Sequence, residues 1–129
     1  MQLKSDRACT EILISGSAAE LTLLAEAVAA GEGFLAAVTE PGSGTPTGIG
    51  AERAPGPGVL VRIDTERRLL LISGDDDARA VLAANLRGIA TADEGGHLHI
   101  DYYPDHYYLV EGSVPLVVES PHGGMPHRR

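Results

Sequence analysis

Short apolar segments alternate along the chain between the periodicity of strands and that of helices, and this alternation constrains the fold. The segment Cys9–Ser15 predicts a strand with apolar side chains on one face, and Gly16 ends it. Ser17 and Glu20 then form a Ser-x-x-Glu capping box, which starts a helix. The helix is predicted to continue to about Ala30, because apolar side chains recur there at the spacing of one buried stripe.

The rest of the chain predicts a hairpin, a second helix and two further strands. Val59–Asp64 and Leu69–Ser73 are short apolar runs joined by a four-residue turn. The aspartates at 75–77 follow at once, and carboxylates at such a position cap a helix and suit its dipole. Alternation then predicts strands at His97–Tyr103 and Val114–Glu119.

This β-α-β-β-α-β-β order predicts an α+β two-layer sandwich, with both helices on one face of a mainly antiparallel sheet. A ferredoxin-like arrangement is the leading expectation. The length of 129 residues fits a single domain spanning 1–129, and we expect no internal repeats.

A Gly/Pro-rich segment interrupts the predicted elements at 40–58. It contains six glycines and four prolines among its nineteen residues, which predicts a flexible loop without regular structure. Its glycine spacing does not predict a phosphate-binding loop, because no lysine is present and no helix follows. The tail at 120–129 is predicted to fray.

The charge distribution favours one class of partner over another. The net charge is −8, and the segment 88–127 carries six acidic residues and no lysine or arginine. Such a surface repels phosphate backbones, so direct binding to nucleic acid is disfavoured. It attracts basic partners instead and speeds their encounter.

Cysteine count and hydropathy exclude several other classes. Cys9 is the only cysteine, which excludes an internal disulfide and a multi-cysteine zinc site, and we expect an idle thiol there. No apolar stretch approaches the ~20 residues of a membrane helix, and the N-terminus lacks the apolar region of a signal peptide. We therefore expect a cytoplasmic protein with no membrane partner and no cofactor.

Three polar side chains on one predicted strand face leave an enzyme open as an alternative. His97, His99 and Asp101 alternate along the strand, and two imidazoles with a carboxylate suit a divalent metal ion. Polar residues are equally typical of the solvent face of a half-buried strand, so no metal is predicted. A further alternative is a small-ligand regulatory module with the 40–58 loop as its lid.

Aromatic and acidic side chains are concentrated in one short segment. All four tyrosines lie within 102–108, and tyrosine contributes both contact area and a hydroxyl group to protein interfaces. An equally open alternative is that two of the tyrosines pack the edge of the core while their hydroxyl groups reach water. We predict a partner-binding surface here, termed the tyrosine–carboxylate surface, formed by Asp101, Tyr103, Asp105, His106, Tyr107 and Glu111.

The same segment resembles a known family. His97–Leu109 followed by Ser113–Val118 is similar to the C-terminal signature of the immunity protein 32 family, small bacterial proteins of polymorphic toxin systems. The resemblance covers about residues 97–119 and implies that the chain binds and neutralises a cognate toxin, without catalysis. Many such toxins attack nucleic acid through basic clefts, which an acidic protein can occupy as a mimic of the phosphate backbone.

Overall fold

A computed structural model describes residues 1–6 and 10–123, which form two helices and eight strands. In chain order the elements are β1 Gln2–Ser5, β2 Ile12–Ser15, α1 Ala18–Ala30, β3 Glu32–Ala36, β4 Gly48–Arg53, β5 Val59–Asp64, β6 Leu69–Gly74, α2 Asp76–Ala90, β7 His97–Ile100 and β8 Leu116–Glu119. Neither helix of this described part is long and apolar enough to cross a membrane.

Both helices begin at the caps that the sequence predicts. The Ser17 hydroxyl accepts a hydrogen bond from the Glu20 backbone N–H, and the Glu20 carboxylate accepts one from the Ser17 N–H, at 3.1 and 2.9 Å. At α2 the Asp75 carboxylate accepts from the backbone N–H of Ala78 at 3.3 Å and of Gly58 at 2.7 Å. The Gly58 and Ala78 bonds, in that order, hold the pKa of Asp75 below its usual range.

The strands form two mixed sheets of four. One has the order β1-β2-β8-β7 and the other β3-β4-β6-β5. In each sheet the central pair is parallel, β2 with β8 and β4 with β6, and the outer pairs are antiparallel. The predicted α+β class is confirmed, whereas two mixed sheets replace the expected single ferredoxin-like sheet.

The chain consists of two interlocked ββαββ halves. When β1, β2, β3 and β4 are matched to β5, β6, β7 and β8, the strand order of one sheet becomes that of the other. The sequence preserves a trace of this symmetry, because Leu13–Gly16 and Leu71–Gly74 both read Leu-Ile-Ser-Gly immediately before a helix cap. The repeat therefore lies in the topology, which the expectation of no internal repeats did not anticipate.

A central strand occupies part of the segment predicted as a flexible loop. Strand β4 is mostly buried between β3 and β6, so the prediction for 40–58 is wrong there. Its glycines serve close packing: a Cβ at Gly48 would lie 2.5 Å from the Phe34 ring, and one at Gly50 would lie 2.9 Å from Leu71. Residues 48–53 are therefore not available as part of the lid that the regulatory-module alternative required.

The end of the described chain is hydrogen-bonded to the segment before β7 and is not frayed. Ser120 is buried, its hydroxyl donates to the Glu94 carbonyl at 2.7 Å, and its N–H donates to the Gly96 carbonyl at 3.0 Å. The Gly96 N–H in turn donates to the Gly123 carbonyl at 3.0 Å. The predicted fraying thus does not hold for 120–123, while 124–129 and Cys9 lie outside the described residues.

One buried arginine joins the two helices. Arg79 of α2 is 1% exposed, and its guanidinium donates to the Val28 and Ala29 carbonyls in the last turn of α1 at 3.0 and 2.8 Å. It also donates to the Gly74 carbonyl at 2.8 Å and pairs with the Asp76 carboxylate. A cation at the C-terminal end of α1 complements the helix dipole there.

We expect Gly48→Ala to lower the free energy of unfolding by about 1–3 kcal/mol, because the added methyl group overlaps the Phe34 ring. Gly88→Ala is the matched control: a Cβ at this α2 position meets no atom within 4 Å, and alanine favours the helix. Urea denaturation measures both, and equal stabilities for the two variants would contradict the tight packing of β4.

Arg79→Met should lower the free energy of unfolding by at least about 2 kcal/mol, since three carbonyls lose a buried donor. Arg87→Met, an exposed arginine on the same helix, is the control and should change stability by less than about 0.5 kcal/mol. Thermal and urea unfolding compare them. Similar losses for both would show that the Arg79 contacts contribute little.

Candidate functional site

The segment between β7 and β8 runs back along the edge of β5. Val59 donates its N–H to the Tyr108 carbonyl at 2.7 Å, and its carbonyl accepts from the Val110 N–H at 2.8 Å. Further along, the Val114 N–H donates to the Val61 carbonyl at 2.8 Å, and the Val61 N–H donates to the Ser113 hydroxyl at 3.1 Å. The backbone that carries the tyrosine–carboxylate surface is thus anchored to a strand of the other sheet.

His106 organises the tip of this segment. Its Nδ1 accepts hydrogen bonds from the backbone N–H groups of Tyr108 and Leu109 at 3.2 and 3.0 Å. The Tyr107 ring stacks on the imidazole at 5.2 Å with an interplanar angle of 5°, and the rings of Tyr103 and Tyr108 lie 4.6 Å from it. One imidazole therefore accepts hydrogen bonds from the backbone of the turn and contacts three tyrosine rings.

These contacts favour the neutral form of His106. Burial lowers the pKa of its imidazole, and the nearby charge of Asp101 offsets this only in part. The hydrogen bonds also favour the neutral imidazole, because Nδ1 must keep its lone pair to accept hydrogen bonds from two N–H groups. A proton on Nδ1 would face both donors and break the turn.

Acidification should therefore destabilise the protein through His106. Its folded-state pKa lies below 6.5, so the unfolded chain binds the proton more readily, and stability that is complete above pH 6.5 is lost as the pH falls below it. His106→Asn supplies a non-titrating acceptor at a similar position and should weaken this pH dependence. His99→Asn, at an exposed histidine, is the control and should behave like the wild type.

The measurement is urea unfolding at pH 7.5 and pH 5.0 for the three proteins. An equal loss of stability between these pH values in the wild type and in His106→Asn would exclude His106 as the source.

The structure brings most of the predicted partner-binding residues to one cleft. Asp105, His106, Tyr107 and Glu111 line a cleft of about 390 Å³, while Asp101 and Tyr103 are not part of its lining. The complete lining is Pro57, Gly58, Tyr102, Asp105, His106, Tyr107, Tyr108, Leu109, Val110 and Glu111. It contains two carboxylates and no lysine or arginine.

Exposure divides the tyrosines into two roles. Tyr103 and Tyr107 are 54% and 69% exposed, whereas Tyr108 is buried. Burial raises the pKa of the Tyr108 hydroxyl, and a hydrogen bond with Asn85 of α2 opposes that shift. Tyr108 therefore anchors the segment to the core, and the other two present their rings outward.

Sequence reasoning missed the part of the cleft that comes from the connection between β4 and β5. Pro57 and Gly58 form this wall, and Gly58 adopts φ 100°, where glycine is favoured. A Cβ at Gly58 would lie 2.7 Å from Val110 and 3.0 Å from the Tyr108 carbonyl oxygen. The only sequence signal was the Gly-Pro-Gly run, which indicates a turn but not what the turn packs against.

The histidine pair on β7 does not form a metal centre in this geometry. His97 and His99 are exposed, with ring centroids 5.8 Å apart and tilted planes. Within residues 1–6 and 10–123, no three histidine, cysteine, aspartate or glutamate side chains are placed to hold a metal ion together. The metal-dependent alternative therefore has no assembled ligand set in the described chain.

Comparison with known families gives a direct result. The model of the family described as Immunity protein 32 matches residues 11–30 and 70–121, more than half of the chain. The chain belongs to the immunity protein 32 family. Searches of curated proteins and of solved structures found no match.

The match agrees with the resemblance seen at 97–119 and extends it to β2, α1, β6 and α2. It includes the whole tyrosine–carboxylate surface and leaves the interval 31–69 unmatched. Membership in the immunity protein 32 family indicates an immunity protein, which binds a toxin, rather than an enzyme.

Proposed function

We propose that this member of the immunity protein 32 family neutralises a basic toxin in the bacterial cytoplasm through the tyrosine–carboxylate surface. The observation that carries the proposal is the cleft at 105–111, where carboxylates and aromatic rings converge without any compensating cation in its lining. Family membership supplies the kind of partner, and the chemistry of the cleft supplies its charge.

The carboxylates favour a cationic ligand. Asp101, Asp105 and Glu111 are exposed, and none of them forms an ion pair within the described residues. Exposed carboxylates without a cation are available to lysine or arginine of a partner, where bidentate pairing with arginine adds geometric specificity. The net charge of the protein is −8, and these carboxylates contribute to the field that accelerates its encounter with a basic surface.

The aromatic residues supply contact area that is already ordered. His106 contacts the rings of Tyr103 and Tyr107 in the free protein, which reduces the number of rotamers that these rings lose in the complex. Arginine side chains stack well on such rings. Aromatic rings surrounded by carboxylates resemble the bases and phosphates that a nucleic-acid-cleaving toxin binds in its active-site cleft. By occupying that cleft, this protein excludes the toxin's nucleic-acid substrate.

The charge mechanism is tested with the triple variant Asp101→Asn, Asp105→Asn, Glu111→Gln. We expect slower association with the cognate toxin, and a weaker dependence of the association rate on salt. Where one of these carboxylates is buried against an arginine or lysine of the toxin, its neutralisation should also speed dissociation and cost roughly 2–5 kcal/mol of binding free energy.

The matched control is Asp93→Asn, Glu94→Gln, Glu66→Gln, which removes the same charge from exposed positions outside the tyrosine–carboxylate surface. Association and dissociation rates at two salt concentrations are measured for all three proteins with a catalytically inactive toxin. Identical kinetics for the surface variant and the control would reject the proposed surface, and absence of any complex with the wild type would reject the proposed function.

A further inference from the structure

Strand β3 presents an open edge. It is the outermost strand of its sheet, and every residue except Leu35 is exposed. The Ala37 N–H donates to the Thr47 carbonyl at 3.0 Å, so by alternation Phe34 and Ala36 direct their backbone groups away from β4. Strand β1 meets this side only at Val38, and no backbone group of residues 1–6 or 10–123 bonds to the outer edge at Phe34 or Ala36.

An apolar groove lies beside this edge. Between α1 and β3 it has a volume of about 370 Å³, and its lining is Leu23, Glu26, Ala27, Ala30, Glu32, Gly33, Phe34 and Leu35. Leu23 and Phe34 are 55% and 60% exposed. Phe34 is the only phenylalanine of the chain, and its side chain does not contribute to the buried core. Free strand edges and exposed large apolar side chains both promote association, so their coincidence at one place indicates an interaction site.

The charge of the groove identifies its occupant. Its lining includes the carboxylates of Glu26 and Glu32 and no lysine or arginine. A second copy of this chain would bring the same two carboxylates and a further net charge of −8, so like charges oppose self-association through this face. A segment that carries apolar side chains flanked by lysine or arginine fits both the groove and its rim.

We propose that an extended, basic and apolar segment of the toxin adds to β3 as a fifth strand and places an apolar side chain between Leu23 and Phe34. Backbone hydrogen bonds to Phe34 and Ala36 supply affinity, and Glu26 and Glu32 select flanking cations. The inference rests on the proposed function, because it assigns a second contact to the same basic partner. The β3 wall lies in the interval 31–69, where the family model does not match this chain, whereas the α1 wall lies within the matched segment 11–30.

Hydrogen exchange in the complex with catalytically inactive toxin tests the pairing directly. We expect exchange of the Phe34 and Ala36 amides to slow at least tenfold on binding. The variant Glu26→Lys, Glu32→Lys should bind the toxin at least tenfold more weakly. The control Glu11→Lys, Glu66→Lys makes the same change in net charge at exposed positions outside the groove and should lose less than threefold.

Three outcomes would overturn the inference in distinguishable ways. If the complex forms but the Phe34 and Ala36 amides exchange as fast as in the free protein, the β3 contact is rejected and the proposed function is retained. Failure of the wild type to bind the toxin removes both. A dimer in sedimentation that dissociates on Leu23→Lys would assign the groove to a second copy of this chain.

Discussion

The buried guanidinium of Arg79 is the interaction on which the helical layer depends. A cation inside a protein is tolerated only when its donors are satisfied, and Arg79 meets this condition with carbonyls from α1 and from the end of β6. Its position leaves no room for a side chain at Gly31, the residue that follows α1. This residue has φ 73°, and a Cβ there would lie 2.7 Å from the Arg79 guanidinium carbon and 2.5 Å from Arg53.

That constraint extends to the candidate site. Strand β6 ends at Gly74, whose carbonyl accepts a hydrogen bond from Arg79. The carboxylate of the next residue, Asp75, accepts a hydrogen bond from the Gly58 N–H. Gly58 in turn lies against the Tyr108 carbonyl and forms one wall of the cleft. Successive contacts between side chains and backbone groups therefore lead from the helix pair to the tyrosine–carboxylate surface, and they anchor a loop that lies outside regular structure.

Local chemistry made part of the fold predictable. The capping box at Ser17, the aspartate cap at 75 and the hairpin of β5 and β6 depend on residues close in sequence, and all three are present. Strands β1, β3 and β4 escaped prediction because they are short, polar or glycine-rich, and their stability comes from partners far along the chain. The parallel pairing of β2 with β8 joins opposite ends of the sequence and leaves no local signal.

The candidate site shows the same division. Clustered tyrosines and a one-signed charge block are visible in the sequence, and the structure brings four of the six predicted residues to one cleft. The role of His106 as acceptor for two backbone N–H groups could not be predicted, because it depends on the turn geometry around Asp105, which has φ 67°. The Pro57–Gly58 wall likewise required the pairing of β5 with the 108–114 segment.

The interlocking of the two halves has a consequence for synthesis on the ribosome. Each sheet takes its central pair from both halves, and β8, which completes one of them, is the last strand within residues 10–123. A nascent chain cannot close that sheet until Leu116–Glu119 has left the exit tunnel, since β2 has no parallel neighbour before then. Closure of this sheet is therefore a late, long-range step, and pairing of this kind is slow to form.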